Sequence, residues 1–370
     1  MEYDETVYAC AINRIFNYHC REARVITDML SSPGDLFSMS EAELSEVLHR
    51  QSLIDAVMDS RNIKAAEEEV RWARKHGIHI IYIHDKEYPY RLRECPDAPT
   101  VLFLKGEADL NPERAVAIVG TRKATAYGKT QCGKIIGYFA QLDPGPTIIS
   151  GLAYGIDICA HLAAMESGLN TVAVLPTGLD TIYPAAHRGH AIRILSHGGL
   201  VTDFPMGSSP QPVTFLRRNR IIAGMSDAVL LIESAAKGGG MITASLAQSY
   251  SREVFALPGR IGDTYSEGCN TLIGRNAAAI ITSPSGPAHS LGWDIPDKEA
   301  HMKKLQKIFE QSDYIKRNIL LALTADLTLD RDSLIEKTGG DPSAVLPKLT
   351  ELELDGAVRT DIYGNYSLNT

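Results

Sequence analysis

Apolar residues change their spacing along the chain, and the changes divide it. Over residues 1–75 they recur every three or four positions, as at Leu44, Val47 and Leu48 and again at Leu53, Ile54 and Val57. That is the period of a helix face, and it predicts helices throughout. Within SSPGDLFSMSEAELSEVL a turn is expected at Pro33-Gly34, followed by a helix capped by Ser40, with Glu43 closing a capping box. Glu67, Glu68 and Glu69 read as a solvated helix face.

From residue 76 short apolar runs take over: IHIIYI (78–83), VLFLKG (101–106), AVAIVG (115–120), TIIS (147–150), TVAVLP (171–176), AVLLIE (228–233) and EVFALPG (253–259). Helical stretches such as YGKTQCGKIIGYFAQL alternate with them. Buried strands separated by helices predict an α/β domain over residues 76–285, with a parallel sheet covered on both faces. Residues 286–304, rich in Pro, Gly and charge, are expected to form a linker. Residues 305–370 read as three helices and a terminal hairpin around Gly364-Asn365, the outline of a winged helix.

The 370 residues suffice for two or three domains, and 44% hydrophobic content suits packed cores. The net charge of −8 argues against indiscriminate coating of nucleic acid, so any polyanion site has to be a local patch. The six cysteines show no CxxC spacing and no accompanying His cluster, which speaks against a disulfide framework or structural zinc. The expectation is small buried thiols in a reducing cytosol, with no metal and no cofactor. The acidic start MEYDETVYACAINRIF is not a secretory signal, and no apolar run is long enough for a bilayer.

Four segments carry candidate chemistry. VGTRKATAYG (119–128) ends a strand at Gly120 and offers the hydroxyls of Thr121 and Thr125 and the fork of donors of Arg122. It suits phosphate, and it equally suits an ordinary strand–helix turn with a surface Arg. SGLAYGIDICAH (150–161) follows a strand with small residues. Gly151 and Gly155 allow tight turning, and the N–H groups from Ala153 to Ile156 can form an anion nest. Asp157 has a structural role in this reading, because a carboxylate beside phosphate would repel it, and His161 reads as a core or bridging group. FLRRNRIIAGMSD (215–227) holds Arg217, Arg218, Asn219 and Arg220 between a Pro-rich turn and an apolar helix start. At least one Arg is therefore expected at a helix N-terminus, a poor position unless an anion is bound. ESAAKGGGMITA (233–244) exposes N–H groups at Gly238, Gly239 and Gly240, beside Lys237. All four are expected at the carboxyl ends of parallel strands, where open α/β sheets bind ligands. Tyr127, Tyr154 and Phe215 are the nearest aromatics for stacking. No nucleophile elbow, metal-ligand helix or supported acidic pair is present, and LPGRIGDTYSEGCN lacks the PGGxGTxxE pattern of Rossmann-like phosphoribohydrolases.

These segments, with DKEYPYRLRECPDAPTVLFLKG (85–106), TVAVLPTGLDTIYP and LPGRIGDTYSEGCNTLIGRNAA, resemble in order and spacing the DNA-processing protein A (DprA, or Smf) family over about 200 residues. The resemblance implies a Rossmann-like core flanked by a helical SAM-like or helix-hairpin-helix domain and a winged helix. It implies a cytoplasmic, homodimeric protein without catalysis that binds single-stranded DNA and loads the RecA recombinase in natural transformation. By the same resemblance Arg122 matches a DNA-contacting Arg, Arg218, Asn219 and Arg220 match an RNR segment, and Lys237 stands where a basic residue precedes a Ser-Gly-Ser turn. Gly238 and Gly240 replace those serines. Two other readings use the same residues: a hydrolase acting on a free nucleotide, and a protein-binding scaffold with a vestigial pocket.

Overall fold

The computed structural model describes residues 3–293, 298–326, 328–361 and 364–368, and the chain forms two compact units, Met1–Trp293 and Asp294–Thr370. The first unit opens with six helices: α1 (Glu5–Ile15), α2 (Cys20–Met29), α3 (Asp35–Ser38), α4 (Glu41–Val47), α5 (Gln51–Met58) and α6 (Ser60–Lys75). The capping box of α4 forms as expected between Ser40 and Glu43. Ile12, Phe16, Ile26, Leu44, Leu53 and Val57 close one core among these helices. Val7 and Ala11 of α1 and Val70 and Ala73 of α6 join a second core with Ile78, Val101 and Phe103 of the sheet.

That sheet has nine strands: β1 (Ile78–Tyr82), β2 (Val101–Gly106), β3 (Ala115–Val119), β4 (Thr147–Ser150), β5 (Thr171–Val174), β6 (Gly198–Thr202), β7 (Ala228–Leu231), β8 (Glu253–Ala256) and β9 (Ala279–Ile280). Their spatial order is β1-β2-β6-β5-β4-β3-β7-β8-β9. Strands β3 to β9 are parallel, and β2 runs against both of its neighbours. Every residue of β3, β4, β5 and β7 is buried, as a sheet covered on both faces requires. The connecting helices are α7 (Tyr90–Arg93), α8 (Ala126–Phe139), α9 (Ile156–Glu166), α10 (Arg188–Ile194), α11 (Pro212–Gly224), α12 (Gly239–Ser249) and α13 (Glu267–Gly274). Where a linker is expected over 286–304, residues Gly286–Ser290 form helix α14 and Ala288 is fully buried in the first unit; residues 294–297 lie outside the described residues.

The second unit holds α15 (Lys298–Gln311), α16 (Tyr314–Ala325), α17 (Arg331–Thr338), α18 (Pro342–Leu354) and the antiparallel pair β10 (Val358–Thr360) and β11 (Tyr366–Leu368). Leu320, Leu323, Leu334, Leu349 and Val358 form its core, in the winged-helix outline. Among the described residues no helix is long and apolar enough to cross a membrane.

The loop after β6 is tied to the N-terminal helices. Asn13 donates to the carbonyl of Asp203 at 2.9 Å, and the N–H of Met206 donates to Glu69 at 2.6 Å. This corrects the reading of Glu69 as solvated. It is only 1% exposed, with Arg14 at 3.4 Å, while Glu68 next to it is exposed. A run of three acids does not reveal that one of them turns inward to cap a loop 137 residues away. Asp203 also pairs with Arg220 of α11, and both are buried.

Burial raises the pKa of Glu69 against the opposing pull of Met206 N–H and Arg14. The folded state therefore favours the protonated carboxyl. The stabilisation is fully present below the unfolded pKa and is lost as pH rises through the folded one. Glu69→Gln keeps an acceptor for Met206, so its urea midpoint should gain on wild type between about pH 4 and about pH 7. Glu69→Ala strands the Met206 N–H and should destabilise by about 1–3 kcal/mol. Arg220→Ala leaves Asp203 as an unpaired buried charge, and chemical denaturation should register a loss of about 3–5 kcal/mol.

Candidate functional site

The strands wind outward in two directions, β3 to β6 one way and β7 to β9 the other. Connections leaving β3 and β7 therefore part to opposite sides, and a crevice opens at their carboxyl ends. A cavity of about 710 Å³ occupies it. Its walls include Thr121 and Arg122 after β3, Phe215, Arg218 and Asn219 of α11, and Gly239 at the start of α12.

The loop after β3 is held from below. Gly120 packs so closely that a Cβ there would lie 2.6 Å from Ile156 and 2.9 Å from the carbonyl of Glu233. The N–H of Thr121 donates to that carbonyl at 2.7 Å, and the Thr121 hydroxyl accepts from Lys123 N–H. Thr125 caps α8 by accepting from Gly128 N–H, and its own hydroxyl donates to the Glu233 carboxylate at 2.5 Å. The one proton of the Thr125 hydroxyl is thus committed, which corrects its reading as a ligand donor. Arg122 and Lys123 are left exposed on the loop.

Part of the expected anion nest over residues 153–156 is taken by the protein itself, the Ile156 N–H by the Thr121 carbonyl and the Ala153 N–H by Asp157. Gly155 adopts φ +80° and abuts the carbonyl of Thr121, which also accepts from Ile156 N–H at 3.2 Å. Gly155 and Ile156 therefore brace the Arg122 loop and do not line the cavity. Asp157 is buried, and burial raises its pKa, while the neighbouring Arg218 and hydrogen bonds from the backbone of Ala153 and Gly151 pull it down. The protein's own carboxylate takes the Ala153 N–H, one of those expected to meet a ligand, as a structural Asp157 would. His161, one turn on, is fully buried, and burial with the nearby Arg218 lowers its pKa to about 3. The Thr171 hydroxyl donates to Ile148 O, so it accepts from His161 Nδ1 at 2.7 Å, and His161 is a core group.

Helix α11 starts at Pro212, not beside the arginines, so the expectation of an Arg at a helix N-terminus is corrected. Pro at the first position and a capping box between Gln211 and Thr214 set that start. Arg217, Arg218 and Arg220 lie inside the helix and point three ways. Arg218 is buried in the cavity floor and donates to the carbonyls of Gly151 and Val174; burial lowers its pKa to about 10. Asn219 accepts from Arg218 Nε at 3.2 Å and faces the cavity. Arg220 does not reach the cavity: its guanidinium is engaged by Asp203 and the carbonyl of Asp97. Arg217 turns towards the N-terminal helices.

The N-terminus of α12 opens on the cavity through Gly238, Gly239 and Gly240, and Gly238 provides no side-chain cap. The first N–H groups of a helix lack intrahelical partners and carry the positive end of its dipole. Gln211 and Pro212 bring the start of α11 to the same cavity. Lys237 is exposed but borders a separate groove with Met241 and Ile242. Of the aromatics, Phe215 lines the cavity with the Arg122 guanidinium 4.8 Å from its ring centre. Tyr154 borders an adjoining cleft with Gly151, Ala153 and Arg122. Tyr127 lies off the cavity, its hydroxyl donating to Pro258 O at 2.9 Å. Sequence reasoning missed Tyr183, set edge-on to Phe215 at 5.3 Å, and Tyr265. The signal for Tyr183 was its position in DTIYP, shortly after a strand.

Two family models match the chain: DNA recombination-mediator protein A over residues 79–289 and the DprA winged helix domain over residues 310–361. Protein Smf of Escherichia coli is 34% identical over 347 residues, covering 88% of this chain and 91% of that protein. The X-ray structure of DprA from Streptococcus pneumoniae superposes with a TM-score of 0.65 at 29% identity, over 77% of this chain and 97% of the other. A structure of DprA from Helicobacter pylori, described for its single-stranded DNA binding mode, gives 0.52 at 29% identity, over 58% of this chain and 95% of the other. With a switch-point cavity, a winged-helix unit and these likenesses, the chain belongs to the DNA recombination-mediator protein A (DprA/Smf) family.

Proposed function

We propose that this protein binds single-stranded DNA across the switch-point cavity and does so without turnover. One observation carries the reading. Two helix N-termini and the guanidiniums of Arg122 and Arg218 converge on one open cavity, while the carboxylate on its wall, Asp157, is turned to backbone N–H groups. Such a surface attracts phosphate oxygens, and among the described residues its lining holds no carboxylate besides Asp157 and no imidazole to serve hydrolysis. Phosphates meet Arg122, Thr121 and the N–H groups of Gly239 and Gly240, and Arg218 adds positive potential from beneath. Phe215 and Tyr183 supply faces on which bases stack whatever their identity, which suits a strand gripped without sequence preference. The Helicobacter pylori relative, described for its single-stranded DNA binding mode, supports this reading.

The family further suggests a cytoplasmic homodimer that receives incoming single strands in transformation and loads RecA on them. Lys237 and the groove it shares with Met241 and Ile242 lie beside the cavity, where the strand can continue.

Fluorescence anisotropy on labelled oligothymidylate, against a duplex of equal length, tests the binding. Single strands should bind more tightly. Arg122→Ala should weaken binding about ten- to a hundredfold, as for loss of a charge-assisted hydrogen bond. It should also make the slope of log K against log salt shallower by about 0.7. Unchanged binding in Arg122→Ala, or free base released from nucleoside monophosphates, would overturn the reading. Sedimentation should give twice the mass of the chain, and the protein should speed assembly of RecA on single-stranded DNA.

A further inference from the structure

Leu216, 46% exposed, stands on the rim of the cavity, and the next residue of α11 leads away from it. The Arg217 guanidinium lies 4.3 Å from the ring centre of Tyr18 and 5.3 Å from that of Phe204, and it donates to Asn17 Oδ1. Tyr18 sits in the turn between α1 and α2 and is 60% exposed. Three residues on, Arg21 is exposed and makes no ion pair among the described residues. Its neighbours Arg24 and Arg50 are both paired, to Asp28 and Glu22.

A purely structural Arg217 would account for the bond to Asn17. It would not account for a large aromatic ring left mostly in solvent, next to an uncommitted Arg, and held by a cation one residue along α11 from the rim of the proposed phosphate-binding cavity. A guanidinium that fixes a ring in place lowers the entropy lost when a base stacks on it, and the nearby positive charge favours the sugar–phosphate chain.

We propose that Tyr18, Arg217 and Arg21 form a second contact for a single strand leaving the cavity over Leu216, with a base stacked on Tyr18 and a phosphate at Arg21. The N-terminal helices thereby become part of the DNA path. This inference rests on the cavity reading above. Arg217 acts here as a positioning residue, because it orients the ring.

The test compares oligothymidylates of about 4 and about 16 nucleotides, the range of single-strand site sizes. On the long strand Tyr18→Ala should weaken binding about tenfold, and Tyr18→Phe, which keeps a stacking face, should restore it. Arg21→Ala should make the salt slope of the long strand shallower by about 0.7. None of the three should change affinity for the short strand. In Tyr18→Trp the added indole emission should be quenched by the long strand and not by the short one. Long-strand binding that is indifferent to Tyr18→Ala, or equal losses on both lengths, would overturn the second contact. If Arg122→Ala still weakens binding in that case, the cavity reading stands alone. If Arg122→Ala is also without effect, both fall.

Discussion

A buried guanidinium holds the carboxyl edge of this sheet together. Where parallel strands end, their last carbonyls lose their ladder partners, and a buried carbonyl without a donor is costly. Arg218 serves two of them, at Gly151 just past β4 and at Val174, the last residue of β5. The position tolerates little change on either side, because a Cβ at Gly151 would run into the guanidinium itself. Asp157 answers the charge of Arg218 and turns the backbone of residues 151–153 towards itself. Glu233 does the same for the loop after β3 through Thr125.

A division of labour follows. The buried charges fix the loops, and in the proposed function the exposed ones are left for the ligand. Arg122 and Lys123 are free to act because Thr121, Gly155 and Ile156 have already locked the loop that carries them. A site whose backbone is fixed before binding loses less entropy when the ligand arrives. The net charge of −8 makes locality necessary, since the chain as a whole does not attract a polyanion. Arg122 over Phe215 joins cation and ring at the mouth of the cavity, a pairing suited to a strand that presents phosphate and base together.

Much of the fold was legible in the sequence, because its signals are local. Apolar runs marked β1 to β5, β7 and β8, and Ser40 with Glu43 marked α4. Strand β6, GGLVT, was missed because two glycines break its apolar run, and the reversed direction of β2 leaves no trace in composition. The site was legible as four segments and illegible as contacts. Three arginines within four residues look alike in a string, yet the helix sends one to the cavity floor, one to Tyr18 and one to Asp203. SGLAYGIDICAH suggested a structural Asp157 but not which N–H groups it takes, because that depends on how the chain folds back over six residues. Glu69 and Arg220 have partners 137 and 17 residues away, beyond the reach of any pattern.

The most direct measurement is photocrosslinking of 4-thiothymidine-substituted single-stranded DNA to the full chain, with the modified peptides identified by mass spectrometry. Crosslinks concentrated on residues 119–128, 210–219 and 234–243, and competed by unmodified single strands, are the result this account predicts. Crosslinks confined to the winged-helix unit, or scattered over faces remote from the sheet's carboxyl edge, would contradict it.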